Sequence, residues 1–289
     1  EADTMYLGAC TKGATSESSY RKQPFSDELA KQRAYSLKSS YVTQIIQDNI
    51  HNIRHTYILS KDEVKKASFE EALNNKLVQY VGIGETVLQQ RFQIKDNLKN
   101  KHERLIAAML NIDGKISETE EFLKANIKLK TIRIEENGKI RESMSFPSFK
   151  YEDIFLEEWE ESNFRTLFFN QKFAFAIFEK KEEEYFFQGI KMWNMPSEII
   201  DTHVKKLWTD VKKIISDGNI VKSVEENGTR RTNFPGISEI PCVHVRPHGR
   251  NKHDVYPLPV PDKVTGEKEY TKYCLWLDRD YIKNILKDI

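Results

Sequence analysis

The stretch "KFAFAIFE", residues 172 to 179, constrains the fold more than any other. From Phe173 to Phe178 every side chain is apolar, so neither face of an extended segment can meet water. Such a run is the pattern of a β-strand covered on both faces, and the rest of the chain must supply the covering layers. "EYFFQGIKMW" (184–193) follows as a neighbouring strand. From Ser197 to Ser216 the apolar residues Ile200, Val204, Leu207, Val211 and Ile215 recur on one helical face, with Gly218 just past the end.

The flanking segments fill in an α/β chain. Residues 1–25, with "CTKGATSESSYRKQP", have linker composition. Ser26 is placed to N-cap a helix whose first turn holds Asp27 and Glu28 and whose stripe continues through Leu37, Tyr41 and Ile45. Ser68 and Glu71 have capping-box spacing ahead of a Leu73, Leu77, Val81 stripe, and "HERLIAAML" (102–110) gives a further helix. The expected division is a linker over 1–25, a helical part over 26–115 and a sheet-containing part over 116–289. Within the last, "NIKLKTIRI" ends at the turn "ENG", and "VKSVEENGTRRTNF" turns at Asn227-Gly228. "PCVHVRPH" and "KYCLWLD" are two more strands, and a last helix starts near Asp280.

Composition narrows the function classes. Charged residues are 31% of the chain, yet the formal net charge is +1, so an anionic partner has to be met by a local basic patch. Three cysteines (Cys10, Cys242, Cys274) without CxxC spacing fit a reducing cytoplasm better than a disulfide framework. No apolar run approaches membrane-spanning length and no signal peptide is visible. The chain begins at Glu1 rather than Met, the start expected of a piece of a longer polypeptide.

The basic patch with the clearest geometry is "HVRPHGRNK" (244–252), where His244, Arg246, His248, Arg250 and Lys252 alternate. Period-2 spacing puts them on one side of a strand and its exit loop. An arginine there can fork onto a guanine edge, or it can simply close a salt bridge. Arg230 and Arg231 form a second candidate phosphate contact, although hairpin edges are also charged merely to stay soluble. "KDNLKNKHER" (95–104) reads as solvated helix surface, and the acidic "EKKEEE" (179–184) is expected to face away from any DNA. Cys242, His244, His248 and His253 offer zinc-type ligands, but their spacing fits no standard knuckle and interleaved cations oppose a dication. There is no Gly-rich phosphate loop or G-x-S-x-G elbow.

Taken in order, "DNLKNKHERLIAAMLNI", "EEFLKANIKLKTIRI", "ESMSF", "EEWEES", "VHVRPH" and "CLWLDRDYIKNIL" resemble the MutH-type mismatch-repair endonucleases and the related Sau-type restriction enzymes, which act at GATC. The resemblance covers roughly residues 65 to 289, and the preceding segment is similar to the linker between the two halves of the Sau-type enzymes. It implies a restriction-endonuclease-like fold: a mixed central sheet flanked by helices, a helical N-terminal part and a DNA-binding cleft. It further implies that the chain is the second, effector half of such an enzyme, working beside an N-terminal catalytic module, with a homodimer among the expected assemblies.

The family's metal site takes a Glu on an early helix, an Asp before the central hairpin, then Glu-x-Lys on a strand. By resemblance those places fall on Met109, Glu121, Lys128 and Lys130. Magnesium requires oxygen ligands; Met109 has none, and Lys128 puts a positive charge where the dication would sit. The expectation is a domain with no cofactor of its own, inside a parent nuclease that needs Mg²⁺. The same residues also read as a core methionine and the solvated face of an ordinary strand. In the family the loop after Arg-Pro enters the major groove, so Arg246 and His248 are expected to read bases and Pro247 and Gly249 to shape the loop. Arg250, Lys130, Arg230 and Arg231 are expected to neutralise phosphates. Two rivals stay open: an active Mg²⁺-dependent GATC endonuclease using Glu118, Glu120 or Glu121, and a non-DNA dimerisation scaffold.

Overall fold

The computed structural model describes residues 5–13, 17–53, 55–96, 98, 100–226, 228–251 and 253–287. The chain is an α/β protein that divides into two units. Glu1–Thr131, Asn170–Ala176 and Gly189–Asn194 form the first; Ile132–Phe169, Ile177–Gln188 and Met195–Ile289 form the second.

Pairing, not helix, takes the amino-terminal residues of the first unit. Strands β1 (Leu7–Thr11), β2 (Tyr20–Gln23), β3 (Ser26–Lys31) and β4 (Arg33–Leu37) make two antiparallel pairs, β1 with β4 and β2 with β3. The helix expected from Ser26 is therefore corrected. Ser26 opens a strand opposite Gln23, Leu37 pairs with Leu7, and the helix begins only at Ser39. A serine followed by acids is a weak local signal; the hairpin that β3 makes with the adjacent β2, and the ladder that β4 makes with the distant β1, outweigh it. The described part of 1–25 thus carries two strands, whatever its role as a linker.

Helix α1 (Ser39–His51) buries none of its residues, whereas α2 (Lys61–Lys66) and α3 (Phe69–Leu77) are fixed by their starts. Ser60 with Glu63 and Ser68 with Glu71 form two complete capping boxes, each satisfying amides that the first helical turn leaves open. α3 buries Ala72, Leu73 and Leu77; Val81, expected on the same stripe, lies in a turn and is 43% exposed. Then come α4 (Glu85–Phe92), α5 (Lys101–Met109) and α6 (Glu120–Ala125). α5 buries Leu105, Ile106, Ala107 and Met109, so Met109 is a core residue.

Strands β5 (Ile127–Ile134), β7 (Lys172–Lys181) and β8 (Glu184–Trp193) form one sheet with β7 in the middle. β7 and β8 are joined by two residues, a connection open only to antiparallel strands. Lys172 to Phe178 are all buried, the environment the apolar run demanded. Inside the first unit Asn74 acts as an extra rung for β8: its amide nitrogen donates to the Ile190 carbonyl at 2.8 Å and its oxygen accepts the Ile190 N–H at 3.0 Å.

In the second unit β6 (Met144–Phe149) leads to α7 (Tyr151–Leu156) and α8 (Asn163–Phe169). The long helix expected over 197–216 is present as α9 (Ser197–Ile199), a π-helical turn (Ile200–Val204) and α10 (Lys205–Ser216), with Ile200, Val204, Leu207, Val211 and Ile215 buried. The hairpin β9 (Val221–Val224) and β10 (Arg230–Thr232) follows; Asn227 of its turn lies outside the described residues. β11 (Val243–Pro247), β12 (Val255–Pro257), β13 (Glu269–Thr271) and β14 (Tyr273–Leu277) complete the strands, with β14 between β11 and β6 in a second three-stranded sheet and β12 paired with β13. Among the described residues the strands form these two sheets and four two-stranded ribbons rather than one central sheet, the ribbon strands being only 3 to 6 residues long. The last helix, α11 (Arg279–Ile285), is capped by Asp278, whose carboxylate accepts the N–H of Asp280 at 2.8 Å.

Candidate nucleic-acid interface

β11 rises out of the core along its length. Val243, His244 and Val245 are buried, Arg246 is half-buried, and Pro247 and His248 are exposed. The pairing with β14 sets His244 opposite Trp276 and Arg246 opposite Cys274. The Trp276 indole leans along the strand from its own partner toward the exposed end. Arg246 places its guanidinium carbon 5.4 Å from the indole centroid, and the His248 ring meets it edge-on at 6.2 Å and 74°. Among the described residues no carboxylate forms an ion pair with Arg246, so of the two alternatives for this position the salt bridge is not what holds it.

The loop beyond is tightly closed. His248 donates its backbone N–H to the Lys272 carbonyl at 2.7 Å. Asp254 accepts the Arg250 N–H at 3.0 Å and pairs with Lys272 at 2.5 Å. Lys272, then the Arg250 amide, hold the Asp254 carboxyl below its ordinary value. Gly249 sits where a Cβ would stand 2.9 Å from the Asp254 carbonyl oxygen and 3.1 Å from Thr271 Cγ2, so only glycine lets the backbone pass unshifted. The Arg250 side chain is 91% exposed with its Nε 3.8 Å from Asp254. Lys252, the last of the basic alternation, lies outside the described residues.

Arg230 and Arg231 are not free charges. Arg230 is gripped by both carboxylate oxygens of Glu267, and Arg231 donates to Glu225 at 2.6 Å. Arg230, Pro247, His253, Glu267, Tyr270 and Tyr273 are among the walls of one cavity of about 650 Å³, which brings the hairpin and the β11 loop to the same side of the second unit.

His244 is buried with neither ring nitrogen partnered. Burial, with the Arg246 charge beside it, lowers its pKa to about 4, so the ring is neutral. Burial also raises the Cys242 thiol to about 12. Cys242 and His244 are buried while His248 and His253 are exposed, so the four zinc-type side chains do not share one environment.

The positions matching the nuclease site lie in the first unit. Glu121 is 5% exposed, and its carboxylate accepts the backbone N–H of Ile58 and of Leu59, each at 2.9 Å. Lys128 is exposed and Lys130 half-buried on the same face of β5. The neighbouring acids are engaged as well: Glu118 pairs with Lys115 at 2.7 Å and Glu120 with Lys124. No group of three or more His, Cys, Asp or Glu among the described residues converges as metal ligands would. Of the 95–104 stretch, expected as solvated helix surface, Lys101 pairs with Glu85 at 2.9 Å and Asp96 at 2.7 Å and His102 with Glu85 at 2.8 Å, and the Lys101, His102 and Glu85 side chains are largely covered; Asn97 and Lys99 lie outside the described residues. At the β7–β8 turn, Lys180 pairs with Glu183 and Lys181 with Glu179.

Trp276 and Glu121's amide partners were not singled out by sequence. The tryptophan was visible in "CLWLD", but its contact with Arg246 depends on the β11–β14 register, which no local pattern gives.

No protein-family model matches the chain. Against known proteins the chain is 34% identical, over an alignment 322 positions long, to the type II restriction enzyme Sau3AI of Staphylococcus aureus, covering 100% of this chain and 66% of that enzyme. The chain therefore spans just under two thirds of the relative's length. No helix among the described residues is long and apolar enough to cross a membrane.

Proposed function

We propose, from the premise that the chain belongs with the Sau-type type II restriction enzymes, that it binds double-stranded DNA at GATC as a non-catalytic effector domain. In this reading it works in the cytoplasm, next to a Mg²⁺-dependent catalytic module of the same polypeptide, and its strands and helices form a restriction-endonuclease-like cleft. The observation that carries the reading is Arg246: a cation at the mouth of β11, laid on Trp276 and left without a carboxylate. Its donors are thus available for a guanine edge, a bidentate contact worth about 1–3 kcal/mol of discrimination. His248 reads beside it, while Pro247 and Gly249 set the loop. Arg250, Arg230, Arg231 and Lys130 face phosphates. Arg230 and Glu267 are both part-exposed, so a phosphate can compete with the carboxylate for the guanidinium.

The residues at the family's metal positions do not fit magnesium. Met109 offers no oxygen, Glu121 is committed to two amides, and Lys128 adds a like charge that repels a dication by several kcal/mol at close range. This supports the effector reading over an active nuclease. A second reading, self-association, rests on α1, where Val42, Ile46 and Ile50 form an exposed apolar stripe at 39%, 49% and 64%.

The deciding test is anisotropy of a fluorescent GATC duplex and a scrambled duplex titrated with the chain, without metal, at two salt concentrations. Preference for GATC with weakening at higher salt is expected, since bases give the preference and phosphates the salt slope. Equal binding to both duplexes removes the recognition loop from the reading; no binding together with salt-insensitive dimerisation leaves the scaffold.

A further inference from the structure

We infer that Trp276 is the positioning residue for sequence readout: its indole holds Arg246 and His248 at the orientation in which they meet base edges. The inference rests on the DNA-binding reading above and goes beyond it, because Trp276 is set to act through these two side chains. Three observations carry it. Arg246, which has no carboxylate partner among the described residues, has the indole as the contact that orients its guanidinium, at 5.4 Å. The same ring also meets the His248 ring, at 6.2 Å and 74°. The indole itself is held in place by the sheet, since Trp276 lies within β14, paired on both sides, with His244 across one ladder and Ser145 across the other.

A rigid aromatic plane does for an arginine what a salt bridge cannot. A carboxylate would fix the guanidinium by occupying its donors. A ring face fixes it through the quadrupole and leaves the five N–H groups pointing elsewhere. Trp276 Nε1 is buried with no hydrogen-bond partner, so what the tryptophan contributes at this position is its ring. Replacement by phenylalanine consequently removes no hydrogen bond and only shrinks the ring face.

The experiment is the two-duplex titration repeated on Trp276→Leu, Trp276→Phe, Arg246→Ala and the double variant Trp276→Leu/Arg246→Ala, each first checked for a cooperative unfolding transition. For Trp276→Leu, the GATC-over-scrambled ratio is expected to fall about tenfold, the size of a partly desolvated cation–π contact, with the salt slope unchanged. Phenylalanine is expected to lose less, about two- to fivefold, because its ring is a weaker partner than indole. In the double variant the tryptophan change should add little to the arginine change, as expected if one acts through the other. Additive effects, an unchanged ratio in Trp276→Leu, or equal loss for both duplexes would each overturn the inference. If Trp276→Leu does not fold, an unchanged ratio in Trp276→Phe overturns it instead. A wild-type chain with no GATC preference fails the underlying reading before any variant is made, and the inference falls with it.

Discussion

Glu121 and Leu59 are joined by a buried hydrogen bond of 2.9 Å in which the carboxylate accepts the backbone N–H, and the same oxygen accepts the Ile58 N–H. A carboxylate aimed at two adjacent amides works as a clasp between α6 and the chain segment ahead of α2. Its charge is satisfied by donors rather than by a cation.

Removing the clasp should cost stability. Glu121→Ala leaves two amides at buried residues without acceptors and is expected to lower unfolding free energy by about 2–4 kcal/mol, measured by urea denaturation. Glu121→Asp, which restores the family's residue type, is one methylene too short for the same grip and should also destabilise. Wild-type stability in both would mean that the amides find water or another acceptor.

Stability should fall on mild acidification because of His244. Its folded-state pKa is depressed to about 4, against an unfolded value near 6.5. Above the unfolded value both states carry a neutral ring and nothing is lost. Below it the unfolded chain takes up a proton that the folded chain refuses, so stability drops as pH falls through this window, by about 2 kcal/mol at pH 5 and about 3 kcal/mol at pH 4. Urea midpoints recorded from pH 7 to 4 should show the slope, and His244→Leu should remove its part between pH 6.5 and 5.

Gly249→Ala should separate loop shape from folding. Its Cβ would press on the Asp254 carbonyl at 2.9 Å, so the loop has to shift. The melting temperature is expected to change by only a few degrees, because the loop tip is solvent-facing, while GATC preference drops by about tenfold, the loss of one good base contact. Equal preference in the variant and the wild type would place the reading residues outside this loop.

Releasing Arg230 should strengthen DNA binding without regard to sequence. Glu267→Gln removes the carboxylate that grips it. Affinity for both duplexes is expected to rise about two- to fivefold, matching the small worth of an exposed pair, and the salt slope to steepen by about one. Unchanged affinity would exclude Arg230 from the phosphate contacts.

Much of the secondary structure was legible in local pattern. Strand β7 follows from its continuous apolar run, β8, β11 and β14 from strand-like stretches, and the helical span 197–216 and the Ser68 capping box from the 3.6 period and from residues at fixed offsets. Non-local pairings were not legible. β3 and β4 carry a helix-start signal that pairing overrides, through the adjacent β2 for β3 and through the distant β1 for β4, so α1 begins only at Ser39. The site shows the same divide. The alternating basic residues of β11 announce themselves in sequence, but Glu121 meets amides 62 and 63 residues away, and Trp276 meets Arg246 only through a register.

Arg246 on Trp276 is a position that folding alone would improve. A methionine or leucine could cover the same indole without holding a charge half out of water, so sites kept for binding are where stabilising substitutions are readily found. A library randomised at residue 246 and sorted for heat resistance should drift away from arginine. One sorted for retention on GATC duplex should return to it. The gap in melting temperature between the two winners would measure how much robustness this chain forgoes in order to discriminate.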